Sequence, residues 1–347
     1  MTERLSDVEA RIGTVKQLAG VIGAMRGIAA ARSREARRHL DGVAGTADAI
    51  AAAIGQALAF LPRDRPPTSS RTGPGAHAVV ALCAEQGFAG VFSDRVLDVA
   101  RRLVRFEADP PAQLLLVGDR GQMVAEEHGD AVAWAAPMIA HVDQAASLAN
   151  RIVEALYERL DTGRVTRVTV VHAVPDASAA IGIVERRLVP FDFDRFPVSP
   201  RAVAPRITLA PELLLARLVE EYVFAEVCEA VVLSFAAENE ARMRAMIAAR
   251  TNVMTTLDGL MSKSRNLRQE EITEDIAGPC AQAPAGLARD LAAALESLPP
   301  HYREIILLRD VQGLTIGELA EALCLTREAS KARLHRARAL AREYLQD

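Results

Sequence analysis

Residues 238–276 read ENEARMRAMIAARTNVMTTLDGLMSKSRNLRQEEITEDI, and their pattern is the strongest indication of the fold. Its apolar residues Met243, Met246, Val253, Leu257, Leu260 and Leu267 fall on a repeat of alternating three and four residues, with Arg250 and Ser264 as polar interruptions. That repeat is typical of a helix that buries one continuous seam against a partner helix. With Pro211 in the first turn, the predicted helix covers residues 210–276 and spans about 100 Å. A helix of that length has to pack along another one.

The other end of the chain supplies the partner helix. Residues 1–61 carry a second 3-4 repeat, formed by Leu5, Val8, Ile12, Val15, Ala19 and Ile22. Pro62, Pro66 and Pro67 end this helix in a loop. The two terminal helices therefore predict one long antiparallel coiled coil, with residues 1–61 running against residues 210–276.

Residues 77–208, between the two terminal helices, alternate strands and helices. Residues 78–82, 113–117 and 165–172 are predicted strands, and residues 93–106 and 145–160 are predicted amphipathic helices. Residues 181–190 add a strand or hairpin at the edge of the sheet. This rhythm predicts a small Rossmann-like α/β domain inserted into the coiled coil. The expected fold class is α+β and mostly α.

The composition changes near residue 277. Residues 277–286 (AGPCAQAPAG) form a predicted linker, and residues 287–347 form a compact helical module. Thr315 is placed to cap a helix over 316–323, with Glu318 in its first turn. Thr326 is placed to cap a second helix, so the module is a predicted helix-turn-helix domain.

Composition and motifs argue against an enzyme. The formal net charge is −4, and the four cysteines form no CxxC pair, so neither a nucleic-acid coat nor a zinc site is expected. Lys263-Ser264 lacks the preceding glycine of a phosphate-binding loop, and Gly118-Asp119-Arg120-Gly121 fits a plain strand-to-helix turn. Neither a nucleophile–base pair nor a signal peptide is apparent. No catalytic residue, cofactor or metal is therefore expected.

The first 276 residues resemble the γ subunit of F-type ATP synthases. The N-terminal helix carries the family's Arg11-Ile12, Val15-Lys16, Ala24-Met25 and Ala29-Ala30-Ala31. The C-terminal helix carries Glu238-Asn239, Arg242-Met243, Ala245-Met246, Asn252, Asn266, Arg268-Gln269, Ile272-Thr273 and Asp275-Ile276. The family usually has Glu where Asp275 stands, and it usually continues about ten residues further.

The resemblance implies a rotor shaft without an active site of its own. It implies α and β subunits of the catalytic head, an ε-type subunit and the membrane c-ring as partners. It also implies a peripheral place on the cytoplasmic face of the bacterial inner membrane. The positions expected to contact other subunits or carry torque are Met25, Arg26, Arg32, Arg34, Asn252, Arg268, Gln269 and Thr273. An arginine-rich face that includes Arg37 and Arg38 is expected to oppose acidic loops of the β subunits.

The module at 287–347 resembles region 4 of bacterial sigma factors of the extracytoplasmic-function (ECF) type. The resemblance rests on Leu298-Pro299-Pro300, on residues 302–310 (YREIILLRD) and on Gly313-Leu314-Thr315. It implies contact with DNA or RNA polymerase, and the candidate DNA contacts are Arg327, Glu328, Lys331, Arg333, Arg336 and Arg338. Cys324 stands where the family favours glycine, and Ser330 where it usually has a buried valine. No sigma region 2 accompanies the module.

Two functions therefore remain open at this stage. The first is a rotor subunit with the module as a passenger. The alternative is a DNA-binding, transcription-related protein whose long helices form an oligomerisation rod. The Arg268-Gln269 and Ile272-Thr273 motifs favour the rotor, because a free rod would not need them.

Overall fold

The computed structural model describes residues 4–61, 75–105, 111–175, 181–198, 206–282 and 292–344. The elements follow one another as α1 (Leu5–Leu58), β1 (Ala76–Leu82), α2 (Phe92–Arg105), β2 (Gln113–Val117), α3 (Asp119–Glu127), β3 (Val132–Ala136), α4 (Ala145–Asp161), β4 (Val165–Val174), β5 (Gly182–Val189), α5 (Pro211–Gln282), α6 (Pro300–Ile306), α7 (Ile316–Ala322) and α8 (Arg327–Tyr344). A π turn, Leu307–Val311, follows α6, and residues 292–297 are also helical. The chain is thus mostly helical with one mixed sheet.

The chain divides into two compact units. The first, here called the sheet unit, is Arg11–Gly259. The second, the terminal unit, combines Met1–Ala10 with Leu260–Asp347. The long helices α1 and α5 each contribute to both.

The sheet has the order β3-β2-β1-β4-β5. Strands β1 to β4 run parallel, and β5 pairs antiparallel with β4 at the edge. Every residue of β1 is buried, as expected for a central parallel strand that is covered on both faces. Val80 and Leu82 pack into one core with α4 and α5, whereas Val79 and Ala81 pack into a second core with α2 and α3.

Within the sheet unit, α1 packs against α5 in antiparallel order. Ile54 and Ala57 of α1 share a cluster with Leu215 and Tyr222 at the start of α5. Further back along α1, Arg37 reaches Glu240 of α5, with Nη2 2.6 Å from the carboxylate. Small buried residues such as Ala29 and Ala36 keep the helices close.

Two differences from the sequence-based expectations stand out. Helix α3 and strand β3 were not predicted, because alanine is a poor strand former and only Ala136 of β3 is buried. Helix α5 continues to Gln282, so 277–282 of the expected linker are helical, while 283–286 lie outside the described residues. The expected loop around Pro62, Pro66 and Pro67 also lies outside them.

Candidate subunit-contact and nucleic-acid surfaces

An exposed apolar row runs along α1 beside the residues that face α5. Leu18 is 48% exposed, Val21 56% and Ile28 55%, and the half-buried Met25 lies between them. Spacings of three and four place these side chains on one side of the helix. Met25, a predicted contact residue, therefore lies within an exposed apolar surface.

The arginines of α1 do not form the single face expected from the sequence. Arg26, Arg34 and Arg38 are exposed, Arg32 is half-buried, and Arg37 is paired with Glu240. Successive residues of a helix are rotated by about 100°, so Arg32 and Arg34 point to nearly opposite sides. Positive charge therefore surrounds this part of α1, and Arg32 lies on the side of the apolar row.

A buried polar network attaches α5 to the loop that follows β1. Arg242 donates to the backbone oxygens of Gln86 (3.1 Å) and Gly87 (3.2 Å) and to the carboxylate of Glu238 (2.5 Å). The exposed fraction of Glu238 is only 2%. Burial raises the pKa of Glu238, and the charge of Arg242 is the main opposing effect.

The sequence reasoning missed the role of Glu238 in this network. Glu238 is a buried partner of Arg242. The signal that could have revealed it is the spacing of four between an acid and an arginine, next to apolar neighbours.

The anchored loop presents two apolar side chains to solvent. Phe88 is 67% exposed and has a φ of 64°. This value lies in the left-handed region, which residues other than glycine rarely adopt. Val91 is 59% exposed. A strained, anchored loop with an exposed aromatic tip is a candidate contact surface that the sequence analysis missed.

Helix α5 occupies the place where an open α/β sheet usually binds a ligand. Such ligands lie at the carboxyl ends of the strands where the strand order reverses, which in this sheet is between β1 and β4. Ser234 of α5 donates to the backbone oxygen of Leu82 at 3.0 Å, and Ala237 and Ala241 pack in the same core as Ala173. A Cβ on Gly118 would lie 2.6 Å from the oxygen of Ala84. The crevice is filled by protein.

The titratable groups near this edge are packing residues. His172 is fully buried, and burial lowers its pKa to about 4, so its imidazole is neutral at pH 7. Burial also raises the pKa of Cys83 far above its ordinary value, which keeps the thiol protonated. Among the described residues, no group of His, Cys, Asp and Glu is arranged to hold a metal ion.

The predicted contact residues of α5 fall into different environments. Asn252 is exposed. Arg268 is paired with Glu9 of α1, at 2.8 Å, so within the terminal unit it joins the two helices. Gln269 is exposed and interacts with another residue. The side chain of Thr273 lies outside the described residues.

The C-terminal helices begin at the expected caps. Thr315 Oγ1 accepts from the backbone N–H of Glu318, and the Glu318 carboxylate accepts from the backbone N–H of Thr315 at 2.7 Å. Thr326 Oγ1 accepts from the N–H of Ala329 at 3.2 Å, at the start of α8. The turn between α7 and α8 contains Cys324 with a φ of 51°, which explains why glycine would suit this position.

The buried side of α8 contains a polar atom without a partner. Ser330, Leu334 and Ala337 face the core of the module. Ser330 is fully buried, and its Oγ has no hydrogen-bond partner among the residues that the structure describes. Ser330 is the position at which the sigma-factor family usually has a buried valine, so a hydroxyl takes the place of an apolar group in this core.

The candidate DNA residues lie on two sides of α8. Arg327, Lys331 and Arg338 share one side with His335 and Arg342, following spacings of three and four, while Arg333 and Arg336 lie on the other side. Arg327, Glu328, Lys331 and Arg336 are exposed, and Arg333 is half-buried. Arg338 differs from them because Asp310 binds it.

Comparison with known proteins agrees with the two-part organisation. A family model described as ATP synthase matches residues 4–278. The ATP synthase gamma chain of Frankia casuarinae is 27% identical over 285 residues, covering 80% of this chain and 95% of that one. The chain belongs to the ATP synthase gamma family. A gamma chain of Gluconobacter oxydans is 28% identical over 291 residues, covering 78% of this chain and 96% of its own.

Solved structures agree on the fold of the gamma-type region. A chain of the Euglena gracilis mitochondrial ATP synthase (OSCP/F1/c-ring) covers 80% of this chain and 92% of its own length, with a TM-score of 0.53 and 10% identity. The rotor of the same organism's enzyme gives a TM-score of 0.50 with 11% identity, over 77% of this chain and 98% of that one.

Membership of this family makes the gamma-type region a non-catalytic subunit. A second family model, Sigma-70 region 4, matches residues 288–340. The chain therefore joins a gamma-type region to a sigma region 4 domain. No described helix has both the length and the apolar character of a membrane span.

Proposed function

We propose that the gamma-type region is the central rotor shaft of an F-type ATP synthase. In this role it couples ion flow through the membrane c-ring to ATP synthesis or hydrolysis in a head of α and β subunits. The observation that carries the proposal is a pair of long antiparallel helices with an apolar row on the outside, at Leu18, Val21, Met25 and Ile28. A row of this kind calls for a surrounding partner, because exposed apolar side chains at regular spacing are typical of interaction sites.

A shaft also has to resist twisting, and the packing of the sheet unit supports this. The Arg37–Glu240 pair and the buried alanines hold α1 against α5, and the Arg242 network attaches α5 to the sheet. Arg32 adds positive charge on the side of the apolar row, and Arg26 and Arg34 add it on other sides of α1, which suits acidic loops on the surrounding β subunits.

The remaining contact assignments belong to the same proposal. Asn252, Gln269 and Thr273 contact the head, and Arg268 acts by holding α1 to α5 through Glu9. The loop at Phe88 and Val91 is a second contact surface. The ε-type subunit and the c-ring are partners of the shaft, which is peripheral on the cytoplasmic face of a bacterial inner membrane.

The test combines the full-length chain with its cognate α and β subunits. Complex formation and ATP hydrolysis are measured for the wild type, for Val21→Gln with Ile28→Gln, and for the control Ala24→Gln with Ala31→Gln. Both control positions are exposed on the same helix but lie outside the apolar row. We expect the row variant to assemble much less well than the control. Equal assembly of the two variants would remove the row from the interface, and failure of the wild type would refute the shaft.

A second function is favoured by the C-terminal module. We propose that residues 287–347 form a helix-turn-helix that binds DNA through α8. Arg327, Glu328 and Lys331 meet base edges near the start of the helix, and Arg333, Arg336 and Arg338 meet phosphates. The observation that supports it is the cluster of exposed basic residues on α8 within a domain that matches Sigma-70 region 4.

Salt dependence tests the DNA proposal. Binding of the full-length chain to a fluorescent duplex of about 30 base pairs is followed over a range of salt concentrations. Arg336→Gln should lower the affinity and flatten the salt slope by about one, because one phosphate contact is lost. Arg102→Gln, an exposed arginine of α2, is the control and should change neither. If Arg336→Gln behaves like the control, α8 is not a phosphate-binding helix.

A further inference from the structure

One basic residue of α8 is already bound within the chain. Arg338 Nε donates to Asp310 Oδ2 at 3.0 Å, and Arg338 Nη2 donates to Asp310 Oδ1. Asp310 belongs to the π turn after α6, and Arg338 lies three turns into α8, so the pair connects two elements of the terminal unit. The guanidinium thus uses two parallel N–H groups on one carboxylate.

This two-point geometry is also the one that a phosphate uses on arginine. Carboxylates and phosphates both accept two parallel hydrogen bonds from the guanidinium fork. The side chain of Arg338 is 47% exposed and that of Asp310 35%, so the pair lies at the surface where DNA would approach. Asp310 therefore occupies the Nε–Nη2 edge of the guanidinium, and its negative charge opposes a phosphate that approaches Arg338 from any side.

The other basic residues of α8 show that this arrangement is particular to Arg338. Lys331 precedes it by seven residues on the same side of the helix and is exposed, and Arg336 is exposed on the other side. In the part of the chain that the structure describes, no ion pair is recorded for either of them, in contrast to Arg338. Several basic residues of α8 are thus available to bind a phosphate, whereas Arg338 is bound by Asp310.

We propose that Asp310 is an internal competitor for DNA phosphate at Arg338 and that it limits the DNA affinity of the C-terminal module. The proposal rests on the DNA binding proposed above. It changes the role of one candidate residue: Arg338 contributes a phosphate contact only when Asp310 is absent or neutralised. The module is accordingly held in a weakly binding form by its own side chain.

The experiment compares Asp310→Asn with wild type in the full-length chain, using the same fluorescent duplex over a range of salt concentrations. Freeing one arginine should add about one phosphate contact. The slope of log affinity against log salt should then steepen by about 0.9, and the affinity at roughly 0.1 M salt should rise five- to tenfold. Arg338→Gln in the wild-type background should leave the slope unchanged, because its contact is not made there.

Two further variants separate competition from a general change of charge. Glu304→Gln removes an exposed acid of α6 without touching Arg338, and it should leave the slope unchanged. The double variant Asp310→Asn with Arg338→Gln should return to the wild-type slope. Because the pair is at the surface, it contributes little to stability, and hydrogen exchange on α8 should confirm that the variants are folded.

The outcomes distinguish this inference from the DNA proposal itself. If the wild type binds, and Asp310→Asn binds with the same slope or only as Glu304→Gln does, the competition is refuted while DNA binding stands. If Arg338→Gln flattens the wild-type slope, Arg338 already contacts phosphate and the inference is wrong. If neither wild type nor Asp310→Asn binds, both proposals are wrong.

Discussion

Replacing Arg242 with methionine should destabilise the sheet unit strongly, and the structure sets the magnitude. The substitution leaves the carboxylate of Glu238, which is 2% exposed, without its positive partner. It also removes the donor to the backbone oxygens of Gln86 and Gly87. Breaking one side of a buried ion pair costs about 3–5 kcal/mol, and each buried acceptor left unpaired adds to that cost. We expect a loss of about 4 kcal/mol in the free energy of unfolding.

The assay is urea unfolding followed by the fluorescence of Trp134, which is the only tryptophan of the chain and lies in β3. Arg244→Met is the matched control: Arg244 is two residues further along α5 and pairs with Glu240 at 2.7 Å, but it is 31% exposed. It should cost less than about 1 kcal/mol. Adding Glu238→Gln to Arg242→Met should recover about 2 kcal/mol by removing the buried charge. Equal effects of Arg242→Met and Arg244→Met, or no recovery in the double variant, would refute the reasoning.

Three further predictions concern the two units. Ser330→Ala removes a buried hydroxyl that has no partner in the described part of the chain, and it should stabilise the terminal module by about 1 kcal/mol, seen as slower hydrogen exchange on α8; faster exchange would mean that the hydroxyl is bonded in solution. Cys324→Gly relieves a left-handed backbone and should slow exchange in the same module, whereas Cys324→Ala should not; equal effects would exclude backbone strain as the cause. His172 has a pKa lowered to about 4, so below about pH 6.5 only the unfolded chain takes up its proton. The sheet unit should therefore lose about 2 kcal/mol between pH 8 and pH 5, and His172→Leu should abolish that part of the loss; an unchanged pH dependence would contradict the assignment.

Much of the architecture could be predicted from local patterns. Strand β2 was predicted at residues 113–117, as the structure has it, because a short apolar run between turn residues is distinctive. The caps at Thr315 and Thr326 were predictable because capping depends on a few neighbouring residues. Strand β3 could not be predicted in this way, because alanine has a low propensity for strands. Its position depends instead on pairing with β2.

The candidate surfaces were less predictable, because they depend on contacts distant in sequence. Glu238 becomes a buried partner only when α5 meets the loop at Gln86 and Gly87, about 150 residues earlier in the chain. Arg268 could be recognised by its motif, but its pairing with Glu9 depends on how the termini meet. Likewise, Asp310 and Arg338 are 28 residues apart, and no pattern links them.

The most direct test of the proposed shaft function is rotation of the chain within a head of cognate α and β subunits. The head is immobilised, a bead is attached to the sheet unit of the full-length chain through Glu127→Cys in a background with Cys280→Ser and Cys324→Ser, and ATP is added. Glu127 and Cys324 are both exposed, and Glu127 lies at the end of α3. We expect stepwise rotation in one direction that stops when ATP is exhausted. A complex that assembles and hydrolyses ATP while the bead remains still would contradict it.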